Sequence, residues 1–167
     1  MNRIRATIES HLGSHDVARI LYGTIVGLAL VLALESEAHG AGHTAAFIVI
    51  AALVVGVAEL FSEAISTEAR QRSRVTRTEL RVLGRDAAAV VAGAGFPAIY
   101  FVLSALGLCS EDTAFTLAKW SGVILVCVYA FLAARMAGIT FRRSAWHAAV
   151  AGVAGVAIVQ VKSAVLH

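Results

Sequence analysis

One proline, two cysteines, two lysines and few charges of any kind stand out as scarcities in these 167 residues. With proline present only at position 97, and no Pro- or Ser-rich stretch elsewhere, no linker divides the chain and no internal repeat is evident. Cys109 is expected at one end of a membrane helix and Cys127 about halfway along the next. Bridged cysteines need Cα atoms within about 7 Å, so an intrachain disulfide is not expected. Paired CxxC, GxSxG, P-loop and HExxH motifs are all missing, and no nucleophile and base stand at matching depth. The chain is not expected to be an enzyme.

Charged residues make up 15% of the sequence, where a soluble domain carries roughly 25%. Hydrophobic residues make up 59%, against a usual value of about 45–50%. A mean hydropathy of +0.79, with the charges confined to a few segments, leaves most of the surface unable to face water. The composition therefore implies a membrane protein. The net charge of +3 does not imply nucleic acid, because the basic residues flank apolar runs and no basic-aromatic module accompanies them. Twelve arginines against two lysines, with abundant Ala, Gly and Val, suits a GC-rich bacterial genome.

Crossing about 30 Å of hydrocarbon takes roughly 20 helical residues. Five apolar runs approach that length, at about 17–35, 44–66, 86–108, 114–137 and 144–165. They are too long and too continuously apolar for the alternating segments of a membrane barrel. The expectation is an all-α polytopic membrane protein, a single domain over 1–167, with five transmembrane helices. Ahead of them, residues 1–16 place Ile4, Ile8 and Leu12 on one stripe, as in an amphipathic interfacial helix. That segment carries acid, and the first long run starts late without a small-residue cleavage site, so a cleavable signal is not expected. The polar stretch 66–86 reads as a cytoplasmic continuation of the second helix, ended by Gly84.

Orientation follows from the arginines. With the N-terminus cytoplasmic, every arginine lies inside and only Lys119 and Lys162 fall outside, near helix ends where they can snorkel. This predicts an inner-membrane protein with its N-terminus in and its C-terminus out. The lipid bilayer is its first partner.

The candidate chemistry centres on Glu59 and Glu63, four residues apart and therefore on one helical face. An ionisable group inside a span is costly and points to function unless a partner neutralises it. Measured from Thr44, Glu59 lies about 22 Å along the helix and Glu63 about 28 Å, just within and at the inner interface. With Ser62 or Ser66 the carboxylates suit a hard or borderline divalent cation, a possible bound metal rather than a resident cofactor. They could equally relay protons, or Glu59 could pair with an arginine such as Arg19. Glu68 extends the acids into the cytoplasm.

Packing signals come next. Gly23 and Gly27 form a GxxxG in the first run, and Gly152 and Gly155 sit in small-xxx-small spacings in the fifth, suited to close helix contact within the chain or between subunits. Pro97 should kink the third run. His39 and His43, with Glu35 and Glu37, form either a plain polar loop or a loose outer metal-attracting site. His11 and His15 on the interfacial segment, His147 beside Trp146, and Gln160 with Lys162 read as boundary residues.

Several of these stretches together resemble the vacuolar iron transporter family of Fe²⁺/Mn²⁺ carriers. Tyr22-Gly-Thr-Ile-Val-Gly-Leu-Ala29 is similar to that family's FGxxDGLV pattern, and Ala58-Glu-Leu-Phe-Ser62 to its GEYxS. Gly95, Pro97 and the junction 135–155 add to the likeness. The resemblance implies a homodimer whose first two helices line a path exchanging metal for protons, with Glu59 as intramembrane ligand and Glu63 and Glu68 as cytoplasmic collectors. The sequence departs from the pattern at Val26, where the family has an Asp, and at Val55, where it has a Met. The alternatives to a divalent-cation carrier are a transport-inactive structural or interaction protein and a proton or monovalent-ion channel at the dimer axis.

Overall fold

The computed structural model describes residues 14–35 and 40–165, with the side chains of 17–35, 40–153 and 155–157. It is all-helical over these residues: α1 Ser14–Leu34, α2 Ala41–Gln71, α3 Arg77–Gly95, α4 Ala98–Ala105, α5 Glu111–Met136 and α6 Phe141–Val165. All five apolar runs are helical. Among the described residues α1, α2 and α5 are each long and apolar enough to cross a membrane, and α3 with α4 makes a fourth if the bent pair is one span. Most of the N-terminal segment 1–16 lies outside the described residues, as do Glu37 and His39.

The bend is 49° and falls at Phe96-Pro97. Proline has no N–H to donate and its ring clashes with the preceding turn, so the helix cannot continue straight through it. Pro97 is fully buried and α4 starts directly after it. The bend therefore belongs to the packed interior.

The polar stretch departs from expectation. Helix α2 stops at Gln71, and Gly84, expected to end it, lies inside α3. Arg72 takes a left-handed conformation (φ 53°), and Thr76 opens α3 with a capping box. The Thr76 hydroxyl accepts from the Glu79 backbone N–H at 3.3 Å, while the Glu79 carboxylate accepts from the Thr76 N–H at 2.8 Å. Two otherwise unpaired backbone donors are satisfied at once, which makes this a strong start signal. The T-x-x-E spelling was present in the sequence; the run of helix formers around it hid the break.

Residue pairs across the helices fix their directions. Arg19 meets Asp86, and a Cβ at Gly23 would collide with the carbonyl of Val90, one at Gly27 with that of Ala94 at 2.6 Å. The partners advance together, so α1 and α3 run parallel with backbones in contact. Gly93 closes the same seam from α3, where a Cβ would meet the Ile20 carbonyl. Lys119 pairs with Glu35 whereas Gly122 faces Leu28, so α5 is antiparallel to α1. Cys127 faces Gly152 and Val123 faces Gly155, so α6 is antiparallel to α5. By the same logic α2 opposes α3, through Gly56 against Val91 and Ala52 against Gly95.

These directions sort the charges. The starts of α1, α3 and α6 and the ends of α2 and α5 share one end of the bundle, which holds every arginine of the described residues. The opposite end carries Glu35, Glu111, Asp112 and Lys119.

Helix α1 is central. It contributes Val31 to a core with Ile48, Phe101 and Phe115, in which the two rings meet edge-on at 4.7 Å, and Leu28 and Leu32 to a second core with Val123. Helix α2 is the opposite case: Phe47, Ile50, Val54, Val57, Phe61 and Ile65 form an exposed apolar stripe along its length. Such a stripe is stable against lipid and costly in water.

Candidate functional site

Arg19 sits in the second turn of α1, at the arginine-rich end, with its guanidinium turned toward α2 and α3. Its Nη1 donates to Glu59 Oε1 at 2.9 Å. Its Nη2 lies 3.4 Å from Glu63 Oε1 and 3.3 Å from Asp86 Oδ2. The parallel register of α1 and α3 delivers Asp86, and the one-turn spacing on α2 delivers both glutamates. One planar fork thus ties three helices, a geometry that lysine could not reproduce. The side chains are 16% exposed for Arg19, 15% for Asp86, 27% for Glu59 and 33% for Glu63. The node is half-enclosed, with its glutamate side the more open.

Of the expected cation ligands, Glu59 and Glu63 are brought together, and both are engaged by Arg19. Glu68 is not part of the node: its carboxylate accepts from the backbone N–H of Val75 at 3.2 Å, holding the 72–76 turn. Asp86 joins the node without having been singled out. Its signal was its place at the polar edge of an apolar run, which became informative only once the α1–α3 register was known. Among the described residues no three His, Cys, Asp or Glu side chains are arranged to hold a metal ion. The three node carboxylates are arrayed on a guanidinium, not around a shared seat.

The glycines serve close contact within the chain. Gly23 and Gly27 lie against α3, Gly152 against Cys127 and Gly155 against Val123. Both cysteines are free.

The opposite end has a simpler arrangement. Lys119 and Glu35 form an ion pair, and a cavity of about 200 Å³ beside it is lined by Glu35, Glu111, Asp112, Phe115 and Thr116. Ser110 caps α5 by accepting from the Thr113 N–H at 3.2 Å, and Glu111 and Asp112 in the first turn oppose the helix dipole. Glu111 Oε1 is buried without a hydrogen-bond partner.

Ahead of the third apolar run, Glu79 is held below the usual carboxylate range by the Thr76 backbone N–H, with help from the Gln71 amide and the Thr76 hydroxyl. This reflects capping, not proton chemistry.

No family model, curated protein or solved structure matches the chain.

Proposed function

We propose that this chain is a structural or interaction component of a bacterial inner membrane, a five-span bundle with its N-terminus in the cytoplasm and its C-terminus outside, latched at the inner end by Arg19. The observation that carries this reading is the 2.9 Å ion pair between Arg19 and Glu59. An acid at membrane depth needs a reason to stay charged, and a guanidinium from the neighbouring helix supplies one without any transported ion. Val26 and Val55, at positions where the carrier pattern has Asp and Met, fit the same reading. The arginine-rich end is the cytoplasmic one on the charge rule, and α6 is the fifth crossing.

A second reading keeps the resemblance to vacuolar iron transporters in full, as a homodimeric carrier of Fe²⁺ or Mn²⁺. One observation favours it: three carboxylates share one guanidinium, so the node holds two negative charges beyond neutrality when all three are ionised. A cation entering from the open glutamate side would complete that balance. Liposomes holding the protein separate the readings, with Mn²⁺ and Fe²⁺ uptake measured under a pH gradient for wild type and Glu59→Gln. The structural role expects no flux in either. Uptake that Glu59→Gln abolishes establishes the carrier, and ion current without metal dependence establishes a channel.

A further inference from the structure

The start of α6 holds a basic groove that the Arg19 latch does not use. It is an open groove of about 400 Å³, lined by the exposed Thr140, Arg142, Arg143 and Trp146. Arg142 and Arg143 stand four and three residues before Trp146, so both guanidinium stems flank the indole on one helical side. Neither arginine forms an ion pair among the described residues, unlike Arg19.

Beside the groove, local contacts tie the α5–α6 corner together. Arg135 is occupied in closing the α5–α6 corner, donating to the Ile139 carbonyl at 3.0 Å. The buried Ser144 donates its N–H to the Thr140 carbonyl at 2.9 Å, and the rings of Phe131 and Phe141 meet edge-on at 5.5 Å. The Thr140 hydroxyl and two guanidiniums that form no ion pair among the described residues are thus donors, with no acid among the lining residues. Such a donor set is complementary to a phosphate.

What lies beside the groove selects the source of that phosphate. Trp146, Val150 and Val153 continue from it along α6 as an apolar stripe, 69%, 52% and 70% exposed. Indole rings favour the headgroup level of a bilayer, and basic pockets at the cytoplasmic side favour anionic headgroups. We infer that this groove is a binding site for the phosphate of an anionic glycerophospholipid, with an acyl chain laid along Trp146, Val150 and Val153.

The test uses the full chain in nonionic detergent, titrated with short-chain phosphatidylglycerol and with phosphatidylcholine of the same chain length, bound lipid being counted by native mass spectrometry. Phosphatidylglycerol is expected to bind about tenfold more tightly. The double variant Arg142→Gln/Arg143→Gln should lose that preference, while Arg72→Gln/Arg74→Gln in the α2–α3 turn should keep it. Should the double variant fail to fold by circular dichroism, Arg142→Gln alone must lower the preference about threefold. Equal binding of the two lipids, or a preference that survives at the arginine-free groove, overturns the site. An equal loss in the turn variant also overturns it, because diffuse charge would then account for the preference. Full displacement of the lipid by millimolar glycerol phosphate overturns the lipid as the source and leaves a soluble phosphate in its place.

Discussion

The two ends of the bundle solve the same problem with different stoichiometry. At the arginine-rich end one guanidinium serves Glu59, Glu63 and Asp86 from two other helices; at the opposite end, among the described residues, Lys119 pairs with Glu35. A planar fork can hold several carboxylates in fixed directions, whereas an ammonium is a compact point charge on a flexible stem. The first arrangement positions helices relative to one another, and the second neutralises a pair. The difference matters more in lipid than in water, since helices in a bilayer gain little from burying apolar surface against each other and depend on close packing and polar ties.

The sharpest way to break the contrast is Arg19→Met. It leaves three carboxylates without a partner in a half-enclosed site. Removing one partner of a buried pair costs about 3–5 kcal/mol, and partial exposure here lowers that to roughly 2–3 kcal/mol. Thermal unfolding in detergent should shift down by the largest amount of any single substitution considered, and a second change of Glu59→Gln in the same chain should recover part of it. No recovery would mean that the acids do not depend on Arg19. Next comes Gly23→Val, which forces apart the parallel backbones that bring Asp86 to the node. Overpacking of this kind costs typically about 1–3 kcal/mol. The same measurement should show a loss that Ala→Val at an exposed α2 position such as Ala58 does not produce.

Much of this was legible beforehand, for reasons that differ by feature. The five helical runs follow from length and hydropathy, because long continuously apolar segments satisfy their own backbone groups as helices, and Pro97 announced its bend because its chemistry acts locally. The α2–α3 break was also local, written as Thr76-x-x-Glu79, yet helix propensity on both sides masked it. The node was half legible: Glu59 and Glu63 share a face by spacing alone, and Arg19 was a possible partner. Asp86 was not, because its role depends on a parallel α1–α3 register that no single helix encodes. Likewise GxxxG states that some backbone comes close to Gly23 and Gly27, without saying that it is α3 of the same chain.

The capping box tests whether the break between α2 and α3 matters to the latched end. Thr76→Ala removes the hydroxyl that accepts from Glu79 N–H, and loss of an N-cap costs about 1 kcal/mol. Trypsin should cut faster at Arg72, Arg74 or Arg77, with a smaller drop in melting temperature than for Gly23→Val. If cleavage is unchanged, Glu68 and Gln71 hold the turn without the cap, through the contacts that Glu68 makes with Val75 N–H and Gln71 with Glu79.

The smallest effect belongs to the opposite end. Lys119→Met removes the ion pair between Lys119 and Glu35, whose side chains are 20% and 32% exposed. Glu35 sits at the end of α1 with its side chain 32% exposed, where water can reach it, and ion pairs with such access contribute about 0–1 kcal/mol. A melting shift within that range, in protein for which Arg19→Met shows several times more, is the expected result. Equal shifts would erase the distinction between the ends: the shared guanidinium would then be worth no more than a single pair, and the α1–α3 glycine seam alone would have to account for how three helices are kept in register.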